Sequence, residues 1–288
     1  MSDMVATWQW WEHFTGNDAA LLSRAAAAAG VDPDRVRADH EILAEVLSHE
    51  AMVEVLWSEG DPLMAGSPFL VFATAVHRGW AELQGVNHVA EWVGARQRLP
   101  VLGGDDLRGF LASDQRRFFL ASLLASYTKV TSGATWVQSG RKWRKHKFSE
   151  LDPIRLTEML EVVPAEDRAG IYRRLGDLAL FLSGVFPDNT ELFGLGPVAA
   201  GRLMRASGLT VDPYHENVPG PVELLERLGA RWYQQAYRTA SAIMPGSTSM
   251  AVVADVADQF VVARRVLNVV TDKYLFPLRG QWFGNPAA

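Results

Sequence analysis

The 288-residue sequence contains no cysteine. This absence excludes disulfides, thiolate zinc sites and a cysteine nucleophile, and it agrees with a reducing compartment. Long apolar runs are also missing, because the most apolar predicted helix, near Phe69–Val76, is too short to span a bilayer. The N-terminal residues lack a basic region followed by an apolar stretch, the pattern of a signal peptide. We therefore expect a cytoplasmic protein without a membrane partner.

The sequence also lacks the spacings of common catalytic and metal-binding motifs. It has neither the His-Glu-x-x-His segment of metalloproteases nor the Glu-x-x-His pair of di-iron bundles. Gly194 and Gly196 do not form a phosphate-binding loop, because no strand is predicted before them and no lysine follows. Ser183 lies in a helical pattern and not in the strand-turn-helix context of a hydrolase nucleophile. We expect no metal and no cofactor, and we favour a protein that is not an enzyme.

Acidic residues outnumber basic residues in the chain outside one segment. The formal net charge is −5, yet five of the seven residues from Arg141 to Lys147 are lysine or arginine, so the rest of the chain carries −10. Thr135, Trp136 and Val137 favour a strand before this segment, and Ser139-Gly140 favours a turn. We predict a short β-hairpin near residues 134–148.

The predicted hairpin is our candidate polyanion-binding site. Lysine and arginine neutralise phosphates, and a tryptophan can stack on a base. The residues assigned to this site are Arg141, Lys142, Trp143, Arg144, Lys145 and Lys147. Two other interpretations stay open. The charges can serve only to keep an edge hairpin from aggregating, or they can pair with acidic surface in the same chain or in a second subunit.

The remaining pattern predicts an all-α fold with many helices. We expect two helical lobes, residues 1–150 and 151–288, or one continuous domain. Within it we predict long helices over Pro33–Trp57 and Ser247–Tyr274, and a shorter one over Asn87–Gln97. The order helix, turn, helix and basic hairpin over residues 105–150 resembles a winged-helix module. Its recognition helix would carry Arg116, Arg117 and Lys129.

A second candidate site is a polar pocket between helices. Glu45, His49 and His77 are predicted on neighbouring helices, and a carboxylate with two imidazoles suits acid–base chemistry. Tyr172 and Gly176 complete this candidate pocket. The alternative is that these histidines are ordinary surface or core residues.

Small residues interrupt the helix predicted before Pro187. Gly176, Ser183 and Gly184 lie on one side of it, and each interior glycine costs about 1 kcal/mol relative to alanine. A close helix–helix contact would offset that cost, and a ligand in a groove is the alternative. The segment Tyr172–Pro187, and more loosely the stretch from Trp143 to Leu156, resembles an uncharacterised bacterial family of helical proteins. That resemblance implies no known activity.

The cationic segment leads our functional interpretation. We expect a non-enzymatic helical binding protein whose hairpin contacts nucleic acid or another polyanion. One alternative is a helical small-molecule-binding protein or enzyme with a polar pocket between helices. Another is a self-assembling interaction scaffold that uses acidic faces and aromatic terminal segments, which would make the protein a homo-oligomer.

Overall fold

The computed structural model is helical, which confirms the predicted fold class. It describes residues 10–58, 60–86, 88–94, 97–128, 132–139, 142–149, 152–187, 197–207, 220–244, 246–276 and 278–283. The chain forms two compact units. Unit 1 comprises residues 1–90, 100–128 and 272–276, and unit 2 comprises residues 91–99, 129–271 and 277–288. The basic hairpin thus belongs to unit 2, whereas the predicted boundary near residue 150 assigned it to the first lobe.

Most described helices of unit 1 begin at a side-chain cap. The described helices of this unit are α1 Gly16–Ala28, α2 His40–Ser48, α3 Glu50–Trp57, α4 Pro62–Ala65, α5 Pro68–Leu83, α6 Gly104–Leu111 and α7 Asp114–Tyr127. Thr15 and Asp18 form a reciprocal capping box at the start of α1. Asp18 Oδ1 also accepts a hydrogen bond from the Ser67 amide at 2.9 Å, so one buried carboxylate ties the start of α1 to the start of α5.

The core of unit 1 lies between α5 and α7. α5 is buried at most of its positions, and α7 buries eight of its fourteen residues. Aromatic side chains dominate the contact, and Phe69 and Phe118 stack with ring centroids 6.1 Å apart. Trp10, from the N-terminal segment, stacks on the same two rings at 6.3 and 5.9 Å. Trp10 therefore packs within unit 1.

Unit 2 contains the longest helices of the chain. They are α8 Pro153–Val162, α9 Arg168–Val185, α10 Pro197–Ser207, α11 Pro221–Ile243, α12 Thr248–Asp258, α13 Phe260–Val270 and α14 Arg279–Phe283. Phe283, near the C-terminus, contacts Phe181 with ring centroids 5.1 Å apart. Trp10 and Phe283 therefore each pack against aromatic rings of their own unit, which argues against these two residues as parts of the exposed aromatic surface that the scaffold hypothesis needs.

Glycine allows the central helices of unit 2 to approach closely. A Cβ atom built on Gly176 would lie 2.4 Å from the ring of Tyr233 on α11. One built on Gly184 would lie 2.7 Å from Leu267 on α13, and one on Gly229 would lie 2.2 Å from Phe260. This is the close packing proposed for Gly176 and Gly184, so Gly176 lies under an aromatic ring and does not line an open groove.

The predicted helix over Asn87–Gln97 is wrong. Strands β1 (His88–Gly94) and β2 (Gln97–Leu102) pair there instead. Gly85 has φ +90°, a left-handed conformation that ends α5 just before this region. The segment from residue 88 carries Val89, Trp92 and Val93, which are the β-branched and aromatic residues that fit a strand.

Two predicted helices are each divided. The helix predicted over Pro33–Trp57 is a 3-10 turn followed by α2 and α3, because Asp39 caps α2 and His49 caps α3 in extended conformations. Polar side chains that bond nearby amides compete with a continuous helix in this way. The helix predicted over Ser247–Tyr274 breaks at Gln259, between α12 and α13, and ends in a π-helical turn at Thr271–Leu275.

Candidate binding sites

The basic segment forms the predicted hairpin. Strands β3 (Ser132–Ser139) and β4 (Lys142–Ser149) pair antiparallel along eight residues each. Trp136 is paired with Lys145, and Trp143 with Gln138. Of the cations assigned to the site, Arg141 lies outside the described residues, and the others belong to β4. Within the described residues the sheet has two strands only.

The register groups the charged residues of β4 into two sets. Alternate residues of a strand belong to opposite faces, and directly paired residues share a face. Trp136, Trp143, Lys145 and Lys147 therefore share one face of the hairpin. The opposite face has Lys142 and Arg144, the other lysine and arginine of β4.

Helix α7 is unsuited to be the recognition helix of a winged-helix module. Arg117 is only 2% exposed, and one of its amino groups donates to the carbonyl of Leu111. Arg116 donates to the carbonyl of Phe110 at 3.2 Å. Lys129 lies outside the described residues. A buried guanidinium cannot reach a phosphate backbone, so the assignment of Arg117 to DNA contact is wrong.

A cavity of about 790 Å³ opens within unit 1, between α2, the end of α5 and the α6–α7 junction. Its volume falls in the range of small-molecule sites. The residues that line it are His40, Glu41, Ala44, Glu45, Ser48, Trp80, Ala112, Ser113, Asp114, Gln115 and Arg117. We refer to it as the acidic cavity, because three carboxylates face one guanidinium in its wall.

Arg117 is the buried cation of the acidic cavity. It forms an ion pair with Asp114, and its guanidinium carbon lies 4.1 Å from the centre of the Trp80 ring, a cation–π contact. Burial lowers the pKa of Arg117 to about 10, which leaves it charged at neutral pH. Its Nε has no hydrogen-bond partner. On the other side of Asp114, His40 Nε2 lies 4.0 Å from Oδ2.

The other two carboxylates of the acidic cavity have no cation beside them. Glu41 and Glu45 are exposed, one helical turn apart on α2. Neither makes an ion pair with any cation among the residues that the structure describes. Like charges at this spacing repel by a few tenths of a kcal/mol, so this wall of the cavity is a region of uncompensated negative charge.

The five residues of the predicted polar pocket are divided between the two units. Glu45, His49 and His77 belong to unit 1, whereas Tyr172 and Gly176 belong to unit 2. Of the five, only Glu45 lines the acidic cavity.

The two predicted histidines have structural positions. His49 is exposed, so it does not belong to an apolar stripe. Its Nδ1 accepts a hydrogen bond from the Ala51 amide at 3.1 Å, and this contact caps α3. His77 is fully buried against Phe118, with ring centroids 4.9 Å apart. Its Nδ1 donates to the carbonyl of Ala73 at 2.8 Å. Burial, and then the charge of Arg117, lowers the pKa of His77 to about 3, so the ring is neutral.

Sequence reasoning missed most of the acidic cavity. The pair Glu41 and Glu45 is visible as an i, i+4 spacing on one helix, but Trp80 and Asp114 come from elements far along the chain. Nothing in the sequence indicates that the start of α7, at Asp114, lies beside α2.

Unit 2 contains a buried polar network. Arg264 pairs with Glu226 at 2.5 Å and donates to Asn268 at 2.9 Å. Asn268 in turn donates to the carbonyls of Ser183, at 3.3 Å, and Gly184. These bonds satisfy carbonyls near the end of α9, so the network has a structural explanation.

Three further observations bear on the class of protein. Among the described residues no group of histidines and carboxylates is arranged to hold a metal ion. In the same part of the chain, no helix combines the length and apolar character that a membrane crossing needs. Comparisons with family models, curated proteins and solved structures find no match, so the function must be argued from the residues themselves.

Proposed function

We propose that this protein is a non-enzymatic helical binding protein whose basic hairpin contacts a polyanion, with single-stranded nucleic acid as the preferred class. The observation that supports the proposal is the β3–β4 register, by which Trp136, Trp143, Lys145 and Lys147 share one face. Proteins that bind single strands combine cations that follow the phosphates with aromatic rings on which bases stack.

The cost of this charge arrangement supports a binding role. Like charges on alternate residues of one strand lie about 7 Å apart and repel one another, and isolated two-stranded hairpins are only marginally stable in water. Lys145 and Lys147 belong to one face, and Lys142 and Arg144 to the other. A bound polyanion would relieve this repulsion.

The negative charge of the rest of the chain limits the surface that a polyanion can contact. Outside residues 141–147 the sequence carries a formal charge of −10, which repels phosphates. Binding should therefore depend on a few contacts at the hairpin. If about four cations reach the phosphates of a single strand, the binding constant should fall roughly fiftyfold between 50 and 200 mM salt.

Fluorescence anisotropy with labelled oligonucleotides tests the proposal. The test variant replaces Arg141, Lys142, Arg144 and Lys145 by Gln. We expect it to flatten the salt dependence and to remove most binding at low salt. Trp143→Ala should weaken binding to a single strand by about 1–3 kcal/mol and affect duplex binding less, because stacking needs an unpaired base. Unlabelled heparin and polyglutamate added as competitors distinguish nucleic acid from polyanions in general.

A second variant controls for the change in overall charge. Arg24, Arg35, Arg227 and Arg238 are exposed arginines outside the hairpin, and replacing these four by Gln lowers the net charge by the same amount. This control should keep the salt slope of the wild type. Equal loss in both variants, or no binding by the wild type at 50 mM salt, would refute a specific role for the hairpin.

A further inference from the structure

We propose that the acidic cavity of unit 1 is a binding site for a small aliphatic diamine. This inference is independent of the hairpin, because the cavity residues belong to unit 1 and the hairpin belongs to unit 2. It rests on the volume of the cavity, on the unpaired carboxylates of Glu41 and Glu45, and on the fixed ion pair of Arg117 with Asp114.

The carboxylates of the cavity have different roles. Asp114 is neutralised by Arg117 and lies 4.0 Å from His40, so it is already held by the protein. Glu41 and Glu45 face the same cavity without a cation beside them. Residues one helical turn apart are separated by about 5–6 Å between their Cβ atoms. Two ammonium groups joined by a short alkyl chain match such a pair of carboxylates.

The rest of the wall suits the alkyl part of a diamine. Trp80, Ala44 and Ala112 supply apolar surface beside the carboxylates. Recognition of organic cations commonly combines aromatic surface with carboxylates. A cavity of about 790 Å³ is large enough for a short diamine together with water.

Arg117 is fixed in place and leaves the charges of Glu41 and Glu45 uncompensated. Its guanidinium is held by Asp114, by the Leu111 carbonyl and over the Trp80 ring, and it is only 2% exposed. It therefore cannot swing across the cavity to pair with Glu41 or Glu45.

Isothermal titration calorimetry of the full chain with putrescine tests the inference. Two matched probes accompany it. Butane-1,4-diol has the same carbon chain without charge, and succinate has the opposite charge. We expect binding of putrescine at low salt and none of the other two. A protein that binds succinate and not putrescine would overturn the assignment of ligand class.

Variants locate the binding. Glu45→Gln should weaken putrescine binding about tenfold, the effect of losing one charge-assisted contact, and the double variant Glu41→Gln with Glu45→Gln should abolish it. Glu54→Gln is the matched control, because Glu54 is exposed on α3 and does not line the cavity. It should bind like the wild type.

A change of shape tests the cavity without altering its charge. Ala112 is exposed at the end of α6, in a right-handed helical conformation that accepts any side chain. Ala112→Trp should fill part of the cavity and weaken putrescine binding at least tenfold while leaving the circular dichroism unchanged. Full binding by both this variant and the double glutamine variant would show that the diamine binds elsewhere and would overturn the proposal.

Discussion

The helices within unit 1 pack against one another in a different way from the helices within unit 2. In unit 1, α5 and α7 meet through aromatic rings and enclose two titratable side chains, His77 and Arg117. In unit 2, α9, α11 and α13 meet where glycine leaves room for a large side chain of the neighbouring helix. Gly176 lies under Tyr233, and Gly229 lies under Phe260.

This difference indicates what each core tolerates. Close packing at glycine leaves no space, so unit 2 should be sensitive to added volume. Burial removes the hydration of the titratable side chains in unit 1, so the stability of this unit should depend on pH. Both cores belong to helical units of ordinary composition, and their different sensitivities come from the side chains at a few crossing points.

Added volume at Gly176 should have the largest effect. In Gly176→Leu the new Cβ would lie 2.4 Å from the ring of Tyr233, which is fully buried and has its hydroxyl hydrogen-bonded to Asp177. The ring cannot move aside freely. We expect a loss of about 3 kcal/mol, the upper part of the range for overpacking, measured by urea unfolding.

Gly170 provides the control on the same helix. It is exposed, and a Cβ atom there would meet nothing within 4 Å. Gly170→Ala should leave stability unchanged or raise it by up to about 1 kcal/mol, through helix propensity. A Gly176→Leu variant as stable as the wild type would contradict the packing assigned to unit 2.

Protonation of His77 should have the next largest effect. Its pKa in the folded protein is about 3, mainly because of burial, whereas the unfolded chain has a value near 6.5. Below about pH 6.5 the unfolded state binds a proton that the folded state does not. Stability therefore falls as the pH falls, by about 2 kcal/mol from this residue between pH 8 and pH 5.

The variant His77→Phe isolates this contribution. It removes the titrating group beside Phe118 and Arg117, and any packing cost it introduces should not depend on pH. Urea unfolding at several pH values should show the stability of the wild type falling about 2 kcal/mol more than that of the variant. Parallel curves would mean that His77 takes up its proton in the folded state.

The sequence predicted the helical class and the basic hairpin because both depend on local patterns. Apolar residues at helical spacing define most helices, and Thr135-Trp-Val137 followed by Ser139-Gly140 is a local strand and turn signal. The predicted helices that failed did so at particular side chains. The side chains of Asp39 and His49 accept hydrogen bonds from nearby amides and divide a predicted helix. The helical periodicity of apolar residues does not reveal such caps.

The acidic cavity was less accessible to sequence reasoning. Histidine is a reactive residue type, which makes His49 and His77 candidates from the sequence. In the structure, capping explains the position of His49, and burial in the core explains that of His77. The cavity depends on Trp80 and Asp114 coming to the same place as α2, which is set by tertiary packing. The spacing of Glu41 and Glu45 on one helix is visible in the sequence. Whether a cation lies beside them depends on tertiary packing, which the sequence pattern does not show.

The smallest effect should come from a polar contact in unit 2. Tyr233 donates to Asp177 Oδ1 at 2.8 Å in a buried site. Burial raises the pKa of Asp177, while Arg173 and the Tyr233 hydroxyl favour its ionised form.

Tyr233→Phe keeps the ring over Gly176 and removes only this donor, so it should cost about 1 kcal/mol at pH 7. Without the donor the pKa of Asp177 rises further, so the cost should shrink in acid as the carboxyl takes up a proton. Tyr237→Phe is the matched control one turn along α11, at a residue that is 40% exposed, and it should leave the free energy of unfolding nearly unchanged. A loss from Tyr233→Phe as large as that from Gly176→Leu would mean that unit 2 depends on this hydrogen bond as much as on close packing.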